Sequence, residues 1–126
     1  MPLAQALTQP AAGATLTKAV VRAAGLLQIK QAELARLLGV SPASASRLFA
    51  GTFQLDPTRH KEWELALLFV RLYRSLDAIV GHGQQARAWL RGENAGLEGA
   101  RPSELIGTAE GLVRVVHYLD AYRGRI

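Results

Sequence analysis

Residues 31–48 read Gln31-Ala32-Glu33-Leu34-Ala35-Arg36-Leu37-Leu38-Gly39-Val40-Ser41-Pro42-Ala43-Ser44-Ala45-Ser46-Arg47-Leu48, and their spacing decides the fold. Leu34, Ala35 and Leu38 fall on one side of a short helix from Gln31 to Leu38. Gly39-Val40-Ser41 breaks that period: Gly39 supplies the positive φ of a tight inter-helix turn, and Val40 plugs the space between the helices. Ser41 caps the next helix through its hydroxyl, satisfying a backbone donor that would otherwise be orphaned. That helix runs from Pro42 to Ala50 and closes at Gly51, the residue a left-handed cap prefers. Ala35 is small because the following helix crosses over it. With Ala45 and Leu48 turned inward, Ala43, Ser44, Ser46 and Arg47 are left exposed.

The joint pattern of Gln31, Ala35, Gly39, Val40, Ser41 and Arg47 resembles the helix-turn-helix of Xre-type regulators. The resemblance implies that the Pro42–Ala50 helix lies in the DNA major groove, where Arg reads guanine and Ser reads base edges or phosphates. Gln31, at the amino end of its helix, is placed for a backbone phosphate. Arg59 and Lys61 are candidate phosphate neutralisers just beyond. The candidate DNA-binding set is therefore Gln31, Ser41, Ala43, Ser44, Ser46, Arg47, Arg59 and Lys61. The sequence departs from the family at Ala45, where a β-branched aliphatic is usual; Ala packs less, leaving the helix either closer to its neighbour or less rigid.

Charge placement agrees. The net charge of the 126 residues is +5. Up to residue 61 there are seven basic residues and two acids, Glu33 and Asp56, which accounts for all of it; from Glu62 onward eight arginines face eight acids. A basic front and a neutral back suit an anionic partner for the front. Hydrophobic residues make up 49% and charged residues 20%, enough apolar content for a packed interior in one domain, or in two small helical units sharing a core. There is no cysteine, which removes disulfides, thiolate zinc sites and thiol nucleophiles together. The opening Met1-Pro2-Leu3-Ala4-Gln5 lacks the pattern of a secretory signal, and no apolar run approaches the roughly 20 residues of a membrane helix. A cytoplasmic protein is expected, without membrane partners.

Outward from the central stretch, residues 1–14 show no sustained period and read as a flexible arm. A helical pattern begins at Thr15, with Leu16, Val20, Ala23, Ala24 and Leu27 on one face, so residues 15–57 form the DNA-binding region. Residues 58–82 carry a long connecting or dimerisation helix, about His60 to Val80, whose apolar residues cover more than one stripe. It either joins the two halves or pairs with a second copy of itself. Residues 83–126 hold a short helix over Gln84–Arg91, a loop over Gly92–Ala100, a helix start at Pro102, and a last helix capped by Thr108 and reaching about Tyr122, with Leu112, Val115, Val116 and Leu119 inward. No strand pattern or repeat appears; the fold class is all-α, a helix-turn-helix bundle followed by a small helical domain.

The back half reads Ala86-x-x-Trp89-Leu90, Asn94-x-x-Leu97-x-Gly99-x-Arg101-Pro102, Leu105-Ile106-x-Thr108-x-Glu110-Gly111, Val115, Leu119 and Gly124. This order resembles the toxin-binding domain of the Xre/MbcA/ParS antitoxins. With the helix-turn-helix, the resemblance covers nearly everything after Thr15. Trp89 is read as core, and Gly111 as a place where another backbone approaches closely. The resemblance implies a RES-domain toxin as partner, an enzyme that destroys NAD and whose active site the antitoxin covers with this region. Candidate toxin-binding residues are Arg101, Glu110, Tyr122, Arg123, Gly124, Arg125 and Ile126. Operator DNA and a homodimer within a larger toxin–antitoxin complex complete the expected partners.

No catalysis, metal or cofactor is expected. His60, His82 and His117 are scattered, with no carboxylate at ligand spacing. Ser103, His117 and Asp120 lack any nucleophile elbow. The rival functions are a stand-alone Xre-type repressor, whose back half dimerises or senses a ligand, and a protein-interaction or localisation adaptor.

Overall fold

Helix α1 spans Gln9–Leu27 in the computed structural model, which describes residues 9–124. It begins six residues before Thr15, where the apolar period starts. Ala11, Ala12 and Ala14 are strong helix formers, and Pro10 is tolerated in a first turn. Tertiary packing adds a reason that periodicity does not display. Gly13 is buried, and a Cβ there would lie 2.4 Å from the Leu55 carbonyl oxygen, so the linker after the helix-turn-helix lies directly on α1. The Thr17 hydroxyl accepts from the Leu55 backbone N–H at 2.9 Å, holding the same contact. Residues 1–8 of the expected arm lie outside the described residues.

Six further α-helices follow among the described residues: α2 (Gln31–Leu38), α3 (Pro42–Ala50), α4 (His60–Val80), α5 (Gln84–Arg91), α6 (Pro102–Leu105) and α7 (Ala109–Arg123). A 3-10 turn, Ala95–Leu97, lies in the loop before α6 and buries Leu97. The described residues form no β-strand; Asn94 and Ala100 make one isolated bridge, pinched by the Asn94 N–H to Ala100 carbonyl bond at 3.0 Å. The fold is all-α.

Helix α4 is the spine. Leu65, Ala66, Phe69, Val70, Leu72, Ser75 and Leu76 are buried on it, more than one stripe. It packs against α1 and α2 on the side of the front half and against α5 and α7 on the side of the back half. The two halves therefore share one continuous core, running from Leu16 and Val20 through Phe69 and Leu72 to Val116 and Leu119. One polar side chain is buried inside it: Ser75, whose hydroxyl donates to Asp120 Oδ1 of α7 at 3.0 Å. The other Asp120 oxygen lies at ion-pair distance from Arg71, without hydrogen-bond alignment. Together these contacts set the register of α7 along α4.

Gly111 explains how α6 and α7 fit together. A Cβ there would stand 1.8 Å from the Leu105 carbonyl oxygen, so the two backbones touch where the side chain is missing. Thr108 caps α7, its hydroxyl accepting from the Gly111 N–H at 3.1 Å. Gly81, at φ 81°, ends α4. Beside it His82 meets a carboxylate five positions earlier, Asp77, at 2.9 Å, a pairing that the scattered histidines do not suggest. Among the described residues no three potential ligands gather into a metal site, and no helix is long and apolar enough to cross a membrane.

Candidate functional site

The α2–α3 unit is built by short-range forces. Gly39 adopts φ 71° at the end of α2, and the Val40 N–H returns to the Ala35 carbonyl at 3.0 Å. Ser41 stands in extended conformation and caps α3, accepting from the Ser44 N–H at 3.1 Å. Ala45 and Leu48 are fully buried, so α3 offers the opposite face outward. Ala43, Ser46 and Arg47 are exposed on it. Ser44 is half-buried and its hydroxyl engages Ser41 at 3.1 Å, which ties that side chain to the cap. Gln31 is exposed at the first position of α2. Arg59 and Lys61 are exposed where α4 begins, Arg59 within 3.3 Å of Glu62.

The back half does not gather its candidate residues in one place. Arg101 lines a cleft of about 460 Å³ between α2 and the α5–α6 segment, where it donates to the Arg91 carbonyl at 2.6 Å and faces Glu93 and Glu104. Glu110 is exposed in the first turn of α7. Tyr122 lies twelve positions further along, ~18 Å at the helical rise. Arg123 turns toward a different groove, between α1 and α4, beside Arg71 and Arg74. Gly124 follows the helix, and Arg125 and Ile126 lie outside the described residues.

Tyr122 belongs to an aromatic cluster that the sequence pattern does not reveal. Tyr118 and Tyr122 are one helical turn apart on α7, with ring centroids 6.4 Å apart, and Trp89 of α5 stacks on Tyr118 at 6.3 Å. These rings border an apolar cleft of about 180 Å³ with Leu76, Ile79 and Val80 behind them. Trp89 is only half-buried, so it is not wholly a core residue, and Tyr122 is 49% exposed. The signal available in the sequence was the i, i+4 spacing of the two tyrosines; what was missing was the approach of α5.

The two halves are tied across their boundary by charge. The Arg91 guanidinium grips Glu33 of α2 with two bonds, 2.5 and 3.0 Å, and also donates to the Gln28 carbonyl at 3.0 Å. The hydrogen bond from Arg91 holds the Glu33 carboxyl below the usual carboxylate range despite partial burial, helped by the Lys30 backbone N–H. The same bond raises Arg91.

The arrangement defines a class: a helix-turn-helix unit fused through one long helix to a small helical domain with a partly exposed aromatic face. The antitoxin Xre-like helix-turn-helix domain matches residues 6–71, and the antitoxin Xre/MbcA/ParS C-terminal toxin-binding domain matches residues 75–125. The chain belongs to this antitoxin family, which is not an enzyme family. A chain in the crystal structure of the M. tuberculosis MbcT-MbcA toxin-antitoxin complex superposes with a TM-score of 0.63 at 26% identity, covering 88% of this chain and 96% of that one. No curated protein matches the sequence.

Proposed function

We propose that this chain neutralises a RES-domain, NAD-degrading toxin by covering its active site, and that it represses its own operon by binding operator DNA. The observation that carries the toxin reading is the Trp89–Tyr118–Tyr122 face, half-buried at Trp89 and Tyr118 and exposed at Tyr122. It lies wholly inside the toxin-binding match, and exposed aromatics rimming a cleft are typical anchors of protein interfaces. Arg123, Gly124, Arg125 and Ile126 follow Tyr122 in the sequence; this basic tail enters a pocket built for dinucleotide phosphates, while Arg101 and Glu110 make outlying contacts. The protein acts in the cytoplasm, where NAD is the toxin's substrate. Co-expression with a RES toxin, read by growth rescue and co-purification, tests the pairing. Full neutralisation after deletion of the last four residues would refute the role of the tail.

On DNA, α3 presents Ala43, Ser46 and Arg47 to the major groove, while Gln31, Ser41, Ser44, Arg59 and Lys61 position the backbone. Repressors of this kind bind as dimers because two half-sites multiply affinity. Leu67 of α4, 49% exposed at the edge of the α1–α4 groove, supplies an apolar contact for a second copy. Leu67→Asp is expected to leave the fold intact and to yield a monomer in sedimentation analysis; an unchanged dimer places the contact elsewhere.

A further inference from the structure

The cations around the α1–α2 turn belong to both halves of the molecule. A groove of about 530 Å³ there is lined by Leu27, Gln28, Ile29 and Lys30 of the front half and by Arg87 and Arg91 of α5. Arg87 reaches across to donate to the Leu26 carbonyl at 3.4 Å, and Arg91 to the Gln28 carbonyl at 3.0 Å. Arg91 is neutralised by Glu33, whose two oxygens it occupies. Arg87 has no ion pair among the described residues, and Lys30 feels Glu33 only at longer range while its side chain stays exposed. Lys30 directly precedes Gln31, the residue that opens α2. The groove thus carries two uncompensated positive charges, one from each half, beside the amino end of α2.

We propose that this groove receives a DNA phosphate, so that Arg87 of the toxin-binding half is part of the DNA grip together with Lys30. This rests on the DNA-binding reading given above. Phosphate fits better than an acidic protein segment because the groove adjoins Gln31 and its charged side chains, Lys30, Arg87 and Arg91, are all cationic, whereas the aromatic surface that protein partners favour lies elsewhere, around Tyr122. The consequence is that α5, braced on the α1–α2 turn, serves both ends of the molecule.

Phosphate contacts are counted by salt dependence, because each phosphate neutralised steepens the fall of log K with log salt by about 0.9. The full-length chain is titrated onto a mixed-sequence duplex at several KCl concentrations, with folding checked by thermal melts. Arg87→Gln and Lys30→Gln are each expected to lower the slope by about 0.9, and Arg87→Lys to preserve it. Slopes equal to that of the unaltered chain overturn the proposal. A loss with Arg87→Lys as large as with Arg87→Gln also overturns it, since Arg87 would then be a brace on the Leu26 carbonyl. Weakened toxin binding with unchanged DNA slopes assigns the groove to protein instead. If the unaltered chain binds no duplex even at low salt, the DNA reading itself fails and the groove proposal falls with it.

Discussion

An added methyl group at Gly111 would meet the Leu105 carbonyl oxygen at 1.8 Å, a distance that no rotamer change relieves because the Cβ position is fixed by its own backbone and the oxygen is main-chain. Gly111→Ala is therefore expected to push α6 off α7 and destabilise the protein by about 1–3 kcal/mol, read as a lower urea midpoint. An unchanged midpoint would mean that the junction is loose. At Glu33 the energy is electrostatic, and its sign follows from the direction of the shift. The folded carboxyl titrates below its ordinary value of 4.5, so the Arg91 pair stabilises fully above that value and fades as pH falls through the folded pKa. Arg91 is 40% exposed, so screening limits the effect to about 1 kcal/mol or less. Glu33→Gln is expected to be less stable than the parent at pH 7 and equal to it in acid well below the carboxyl range. Parallel denaturation curves at the two pH values decide it.

Among the elements, α2, α3 and the turn between them were the most legible, because their determinants are local. Gly39 at positive φ, Ser41 as cap and the inward Leu34, Leu38 and Leu48 all lie within eighteen residues of one another, and each acts on its own backbone or its neighbour's. Helix α1 was legible only from Thr15, since its first turns are held by Gly13 against Leu55, a contact forty-two positions away. Likewise, Trp89 read as core because nothing local reveals that α5 leaves its ring on a surface shared with Tyr118. The element proposed to read DNA, α3, is thin in charge: of its outward residues only Arg47 carries a charge. Arg47→Ala is accordingly expected to cost about 1–3 kcal/mol of operator affinity while leaving the salt slope nearly unchanged, as befits a base contact. Equal losses on operator and on unrelated duplex would make Arg47 a phosphate contact.

At the scale of the whole molecule, one core spans the helix-turn-helix half and the C-terminal half. Helix α4 buries residues against both halves, and the Arg91–Glu33 pair and the Ser75–Asp120 bond add polar stitches across it. A shared core of this kind sets α3 on one surface and the aromatic face of α5 and α7 on another. The stability of the fold and the affinity of the aromatic face should then be separable. Tyr122 is half exposed in the last turn of α7, so Tyr122→Ala should leave the stability within about 0.5 kcal/mol of the parent. If the face is the toxin anchor, the same change should weaken the purified antitoxin–toxin complex by about 2 kcal/mol, roughly thirtyfold in Kd. Calorimetry on the two proteins measures it directly. A Kd unchanged by Tyr122→Ala, with the complex still formed, would move the anchor off the aromatic face and leave the basic tail as the main contact.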